Sequence, residues 1–256
     1  MQFKKYQGYF IDLDGTMYMG TKPIEAAPAF VEKLKYAEIP YLFLTNNSTS
    51  TPQEVAEKLQ VEFNIPAKVE DVYTSALATA DYVKQLKGNR VYVVGEHGLK
   101  QALEDVGCQL VEDAIDHVVV GLDRDLTYDK CEIASLAIQK GATFIATNKD
   151  TNLPTERGLV PGAGSVIALI EKSSQTKPTF IGKPEKIMMK SALDKIHLSK
   201  EEVIMVGDNY ETDILAGIDS EIDTLLVLTG FTKKADLNSK MKQPTYIIDT
   251  LDEWGE

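Results

Sequence analysis

The chain has 256 residues, 43% of them hydrophobic, enough for one large or two smaller domains with a substantial core. Its 39 acidic and 27 basic residues leave a formal charge of -12, which argues against an extended nucleic-acid or anionic-membrane surface but leaves room for a local cationic pocket. Cys108, Cys131 and the scattered His97, His117 and His197 form no zinc spacing, no signal-peptide core forms around Asp12 and Asp14, and no run approaches the roughly eighteen apolar residues of a membrane span, so a reduced cytoplasmic protein is expected.

Short runs rich in β-branched and aromatic residues predict strands at 8–13, 39–44, 91–95, 117–121, 143–147, 179–181, 203–206, 224–228 and 245–248. Helical spacing fills 26–37, 52–64, 75–87, 98–106, 129–140, 164–173, 185–197 and 211–218. Thr51 and Pro52 read as an N-cap followed by proline at the first helical position, and Pro184-Glu185 as an acidic first turn. The alternation predicts an α/β protein with mainly parallel sheets. No linker or internal repeat marks a boundary, so the motifs must do so.

Four short motifs each end an apolar run. In Asp12-Leu13-Asp14-Gly15-Thr16, the strand period of two puts Asp12 and Asp14 on one side where the strand stops, and Gly15 permits a sharp turn. Two carboxylates so close can divide labour, one ionised as nucleophile and the other protonated to serve a leaving group; the alternative is a plain Asp-Gly turn. A calcium loop is excluded, because glycine falls at the fourth position rather than the sixth. Thr45-Asn46-Asn47 places a hydroxyl and amides at a strand end, suited to phosphate oxygens or to capping. Lys183, between Gly182 and Pro184, offers an ammonium to phosphate charge or to solvent. Asp208 ends the apolar run 203–206 and suits Mg²⁺, which needs few protein carboxylates, while Asp213 is either a second acidic contributor or a helix cap. Pro161-Gly162-Ala163-Gly164-Ser165 lacks the lysine of a nucleotide loop and reads as a turn.

Two motifs precede residue 50 and two follow 180, and the stretch between them, residues 48–181, holds further strands and helices. This spacing predicts a discontinuous core, 1–79 and 179–256, with an inserted domain at 80–178 over the crevice.

With these motifs in this order, the chain resembles the haloacid dehalogenase-like phosphohydrolases, in particular their NagD-type, p-nitrophenyl phosphatase-like branch. The mid-chain segments Ala146-Thr147-Asn148-Lys149-Asp150 and Leu153-Pro154-Thr155-Glu156-Arg157-Gly158 extend the likeness. The resemblance implies a Rossmann-like core with an inserted α/β cap, and Mg²⁺-dependent hydrolysis of small phosphate monoesters. By the same resemblance, Asp12 is the nucleophile that forms an aspartyl-phosphate and Asp14 the acid and then the base. Thr45, Asn46 and Lys183 hold the phosphoryl oxygens. The Asp12 carboxylate, the Asp14 main-chain carbonyl and Asp208 bind the metal, with Asp213 orienting its waters. Asn47, Asn148, Asp150 and Arg157 are candidates to face substrate, with solvated loop charge as the alternative.

A phosphomutase or phosphotransferase would use the same nucleophile, and a non-catalytic phospho-acceptor module would share the acidic cluster, threonine and lysine on about half the length. The expected partner is a small phosphorylated metabolite, with neither nucleic acid nor membrane. Oligomeric state, a homodimer included, is open.

Overall fold

The computed structural model describes residues 4–155 and 157–255, so Glu156 of the 153–158 motif lies outside the described residues. The chain begins with β1 (Gly8–Ile11), the small antiparallel hairpin β2 (Tyr18–Met19) and β3 (Lys22–Pro23), α1 (Ala26–Tyr36), β4 (Tyr41–Thr45), α2 (Pro52–Phe63) and β5 (Val72–Thr74). It continues through α3 (Ser75–Val83), β6 (Arg90–Val94), α4 (His97–Asp105), β7 (Gln109–Leu110), β8 (His117–Val120), α5 (Tyr128–Gln139) and β9 (Thr143–Ala146). Next come the hairpin β10 (Asn152–Thr155) and β11 (Gly158–Pro161), then α6 (Ala163–Ser174), β12 (Thr179–Phe180) and α7 (Lys186–Ile196). The last elements are β13 (Val203–Gly207), α8 (Leu215–Asp219), β14 (Asp223–Val227) and β15 (Tyr246–Ile248).

Packing divides these elements into two compact units. The first comprises residues up to Thr45, Gln53–Tyr73 and the chain from Met189; the second comprises Asn46–Pro52 and Thr74–Met188.

In the first unit the strand order is β15-β14-β13-β1-β4-β5. β1 pairs in parallel with β13 (Ile11 opposite Val206) and with β4 (Ile11 opposite Phe43), and β13, β14 and β15 continue in the same sense. One face of the sheet, built from Tyr9, Ile11, Phe43, Ile204, Val206, Leu225 and Val227, packs on Phe30, Val31 and Leu34 of α1 and Val55, Leu59 and Phe63 of α2. On β14 the alternate residue, Leu226, joins a cluster with Tyr210, Ile214 and Leu237. Burial on both faces is why the inner strands read as continuous apolar runs rather than alternating ones.

The second unit repeats the construction, with a parallel sheet ordered β12-β9-β8-β6-β7. Tyr92, Val94, Val118, Val120, Phe144 and Ala146 pack there against Ala134 and Ile138 of α5 and Val166, Ile167 and Ile170 of α6. Threonine hydroxyls cap two of its helices: Thr74 accepts from Leu77 N at 3.2 Å and Thr127 from Lys130 N at 3.3 Å. Among the described residues no helix is long and apolar enough to cross a membrane.

Several expectations change. β5 and β7, three and two residues long, and the two hairpins are too short to show a period. The 211–218 helix is a π turn over Tyr210–Ile214 followed by α8. Pro184-Glu185 do not open a helix: Lys183-Pro184 is a cis peptide and α7 begins at Lys186. Residues 179–181 were expected in the core sheet, but β12 pairs with β9 in the second unit, so the packing boundaries differ from the 80–178 insert that motif spacing predicts.

Leu59 is fully buried among both helices and the sheet of the first unit. Leu59→Ala is expected to cost about 2–5 kcal/mol, read as a lower midpoint in urea unfolding.

Candidate active site

The register of the first sheet aligns the ends of three neighbouring strands. Asp12 follows β1, and its N–H donates to Val206 O at 2.8 Å, continuing the β1–β13 ladder by one residue. Thr45 ends β4 on one side and Asp208 follows β13 on the other. The carboxyl ends of parallel strands are where open α/β sheets bind ligands.

After Asp12 the chain turns tightly. Leu13 O accepts from Thr16 N (3.2 Å) and Met17 N (2.7 Å), while Gly15, at φ +94°, donates to Tyr18 O at 2.6 Å. A Cβ at Gly15 would lie 2.3 Å from Asp208 Oδ2, so the turn needs glycine for both its conformation and its closeness. Gly230 faces the same carboxylate even more closely, with a Cβ there falling 2.0 Å from Asp208 Oδ2. Asp208 is buried; its Oδ2 accepts from Phe231 N at 2.6 Å and its Oδ1 from the Thr16 hydroxyl at 3.4 Å. Thr229 Oγ1 donates to Gly15 O at 2.6 Å, tying the loop after β14 to the turn after β1.

Asp213 is buried as well, delivered by the π turn. Its Oδ2 accepts from Asn209 N at 3.1 Å and its Oδ1 from Thr212 Oγ1 at 3.2 Å, while Gly207 leaves room where a Cβ would fall 2.3 Å from Asp213 Cβ. π turns recur at functional sites because the extra residue re-aims a side chain. One oxygen from each of Asp12, Asp208 and Asp213 lies within 4.8 Å of the others. The sequence reading assigned Asp213 a supporting part, and the structure draws its carboxylate into the same group. An all-carboxylate set of this spacing fits a hard divalent cation, which takes oxygen ligands and offsets the repulsion of buried like charges.

Asp14 stands outside that trio, on the exposed rim, where its Oδ1 accepts from Gly20 N at 3.1 Å. Beside it, burial pushes the Tyr18 phenol well above its usual range, with the charges of Asp14 and Asp12 adding to the effect, so Tyr18 stays neutral. Its ring stacks on Phe63 with centroids 4.4 Å apart.

The second unit gathers a different set. The Asn46 amide Nδ2 donates to both Asp150 oxygens (3.2 and 3.1 Å) and to Lys183 O (3.0 Å). Buried Asn148 donates to Asn46 O at 2.8 Å and accepts from Asp150 N at 3.1 Å. Asn47 Oδ1 accepts from Thr49 N (2.7 Å), Thr49 Oγ1 (3.1 Å) and Ser50 N (3.1 Å), so its side chain shapes the loop that leads to α2. Lys183 is only 2% exposed, on the segment after β12. Arg157 is exposed in the β10–β11 turn, its N–H donating to Thr155 Oγ1 at 3.3 Å. Sequence reasoning did not single out Gly230, Phe231 or the π turn; the Thr-Gly pair after the 224–228 run was the one available signal.

The parallel strand order and the acidic group beside the strand ends give the first unit a Rossmann-like α/β architecture with a site suited to a divalent cation. A family model described as haloacid dehalogenase-like hydrolase matches residues 9–109, and another described as HAD-hydrolase-like matches residues 180–254. The chain is 51% identical over 252 residues to the 5'-nucleotidase YutF of Bacillus subtilis, covering 98% of both proteins. It is 50% identical over 250 residues to an acid sugar phosphatase of Staphylococcus epidermidis, covering 97% of this chain and 96% of the relative. The solved structure of NagD from E. coli K-12 matches with a TM-score of 0.94 at 33% identity, covering 98% of this chain and 99% of that one. The chain belongs to the haloacid dehalogenase-like hydrolases, in their NagD-type branch, and is a phosphoric monoester hydrolase.

Gly230→Ala is expected to push Asp208 from its place. Calorimetric titration should show Mg²⁺ binding weakened at least about 10-fold, as for loss of a group that orients a ligand, although no ionisable residue has changed.

Proposed function

We propose that this enzyme hydrolyses small phosphate monoesters, nucleoside monophosphates and sugar phosphates among them, in a Mg²⁺-dependent reaction through an aspartyl-phosphate on Asp12. The observation that carries the reading is the convergence of Asp12 and Asp208, at the ends of parallel strands, with Asp213 of the π turn, one oxygen from each lying within 4.8 Å of the others. The names of its relatives, a 5'-nucleotidase and an acid sugar phosphatase, support the substrate class.

The Asp12 carboxylate, the Asp14 main-chain carbonyl and Asp208, with Asp213 supporting, would hold Mg²⁺, whose positive charge would offset the repulsion between an anionic carboxylate and an anionic phosphate. An Asp12 oxygen attacks phosphorus as the bond to the leaving oxygen breaks, and Asp14 gives that oxygen its proton. Asp14, now a carboxylate, takes a proton from water; the water oxygen attacks phosphorus, and inorganic phosphate and free Asp12 result. Thr45, the Asn46 segment and Lys183 provide hydroxyl, main-chain and ammonium groups for the phosphoryl oxygens.

The test is phosphate release over a panel of monoesters, with and without Mg²⁺, compared as kcat/KM. Asp12→Asn should lose at least about 1,000-fold in turnover, because an amide is a poor nucleophile. Asp14→Asn should lose about 10²–10⁴-fold, the usual worth of a general acid, and Asp208→Ala should shift the Mg²⁺ titration midpoint upward. Full activity in Asp12→Asn would reject the nucleophile. Transfer of phosphate to an added sugar in preference to water would favour a transferase, and stoichiometric labelling without turnover a phospho-acceptor module.

A further inference from the structure

Asp150, in the segment after β9, was expected to face substrate, yet its carboxylate is turned to Asn46. Asn46 Nδ2 lies 3.2 and 3.1 Å from the Asp150 oxygens and 3.0 Å from Lys183 O. A carboxylate and a carbonyl only accept, so the nitrogen of the amide must point at them, and its two hydrogens are divided between them. Asn46 Oδ1 is buried without a hydrogen-bond partner, against Gly182, where a Cβ would fall 2.6 Å from it. The Asn46 side chain therefore has no donor left for a phosphate oxygen. The Asn46 carbonyl, meanwhile, is fixed by Asn148 Nδ2 at 2.8 Å and Ser75 Oγ at 2.7 Å.

Asp150 is itself anchored by its main chain: its N–H donates to Asn148 Oδ1 at 3.1 Å and its carbonyl accepts from Gly164 N at 2.8 Å at the start of α6. Leaving the buried amide oxygen unsatisfied carries a desolvation cost. A strut that holds two main-chain segments in one geometry is a function that would justify such a cost.

The geometry points to Asp150 as a positioning residue: it acts through the Asn46 amide to hold the main chain at Asn46 and Lys183, which present phosphate-binding groups, rather than by touching substrate. This rests on the phosphatase reading above. The phosphoryl group is common to every substrate, so the role predicts a loss that ignores the leaving group. A direct contact predicts a loss that follows it.

The experiment is a double-mutant cycle on Asp150 and Asn46, read with p-nitrophenyl phosphate, a nucleoside monophosphate and a sugar phosphate. Asp150→Ala should lower kcat/KM by about 10–100-fold, as for loss of an orienting partner, by one common factor for all three substrates, and should weaken inhibition by inorganic phosphate. The double variant should be no slower than Asn46→Ala alone, because both changes remove the same link. Asp150→Asn, which keeps an acceptor oxygen toward Asn46, should recover most of the activity. Losses that multiply, a loss confined to one leaving group, or an undiminished Asp150→Ala would overturn the assignment. If Asp150→Ala does not fold, Asp150→Ser carries the same comparison. Failure of the phosphatase reading is distinguished by Asp12→Asn, whose retained phosphate release would be independent of Asp150.

Discussion

Like charges crowded at the ends of β1 and β13 set the central constraint on this molecule. At 4.8 Å two carboxylates repel by on the order of 3 kcal/mol in a medium of effective dielectric 20, and three of them meet here. Two of the three are buried. The fold meets this with donors already in place: Phe231 N on Asp208, Asn209 N on Asp213, and the hydroxyls of Thr16 and Thr212. A hydrogen bond to a charged group contributes about 1.5–3 kcal/mol, so these contacts reduce the repulsion without removing it. The remaining negative potential suits a divalent cation, and β-strand register is what keeps it concentrated at one point.

The β13 register shows how directly the site depends on the sheet. Ile11 lies opposite Val206 and, on the other side, opposite Phe43. A slip of one residue would turn Asp12 toward the face occupied by Ile11 and break the apolar layer on α1 and α2. The same hydrophobic alternation that stabilises the core thus aims the acidic side chains.

Much of this was legible in the sequence, for a physical reason. The inner strands are buried on both faces, so β1, β8 and β13 stand out as apolar runs, and the residues that follow them, Asp12 and Asp208 among them, stand out as polar interruptions. Short elements have no such signature, and β5 and β7 were missed. Nor does sequence spacing state which sheet a two-residue strand joins, so β12, and Lys183 with it, were assigned to the wrong one. The side-chain direction of Asp150 and the capping of the Asn47 loop depend on partners more than 100 residues away or on local turn geometry, and neither follows from residue type. Asp213 was expected near the start of a helix, and the structure instead carries it on a π turn, a geometry that residue type does not reveal.

Glycines complete the acidic group without contributing any chemistry to it. Gly15 and Gly230 come from separate loops and Gly207 from the end of β13, and each occupies a place where one added carbon would collide with a carboxylate-bearing side chain. The mutational target of the site is therefore wider than its list of charged groups. An inherited change at any of these three positions could silence the enzyme while every acid, amide and ammonium stayed in the sequence, and a survey that scored only reactive residues would count such an allele as intact.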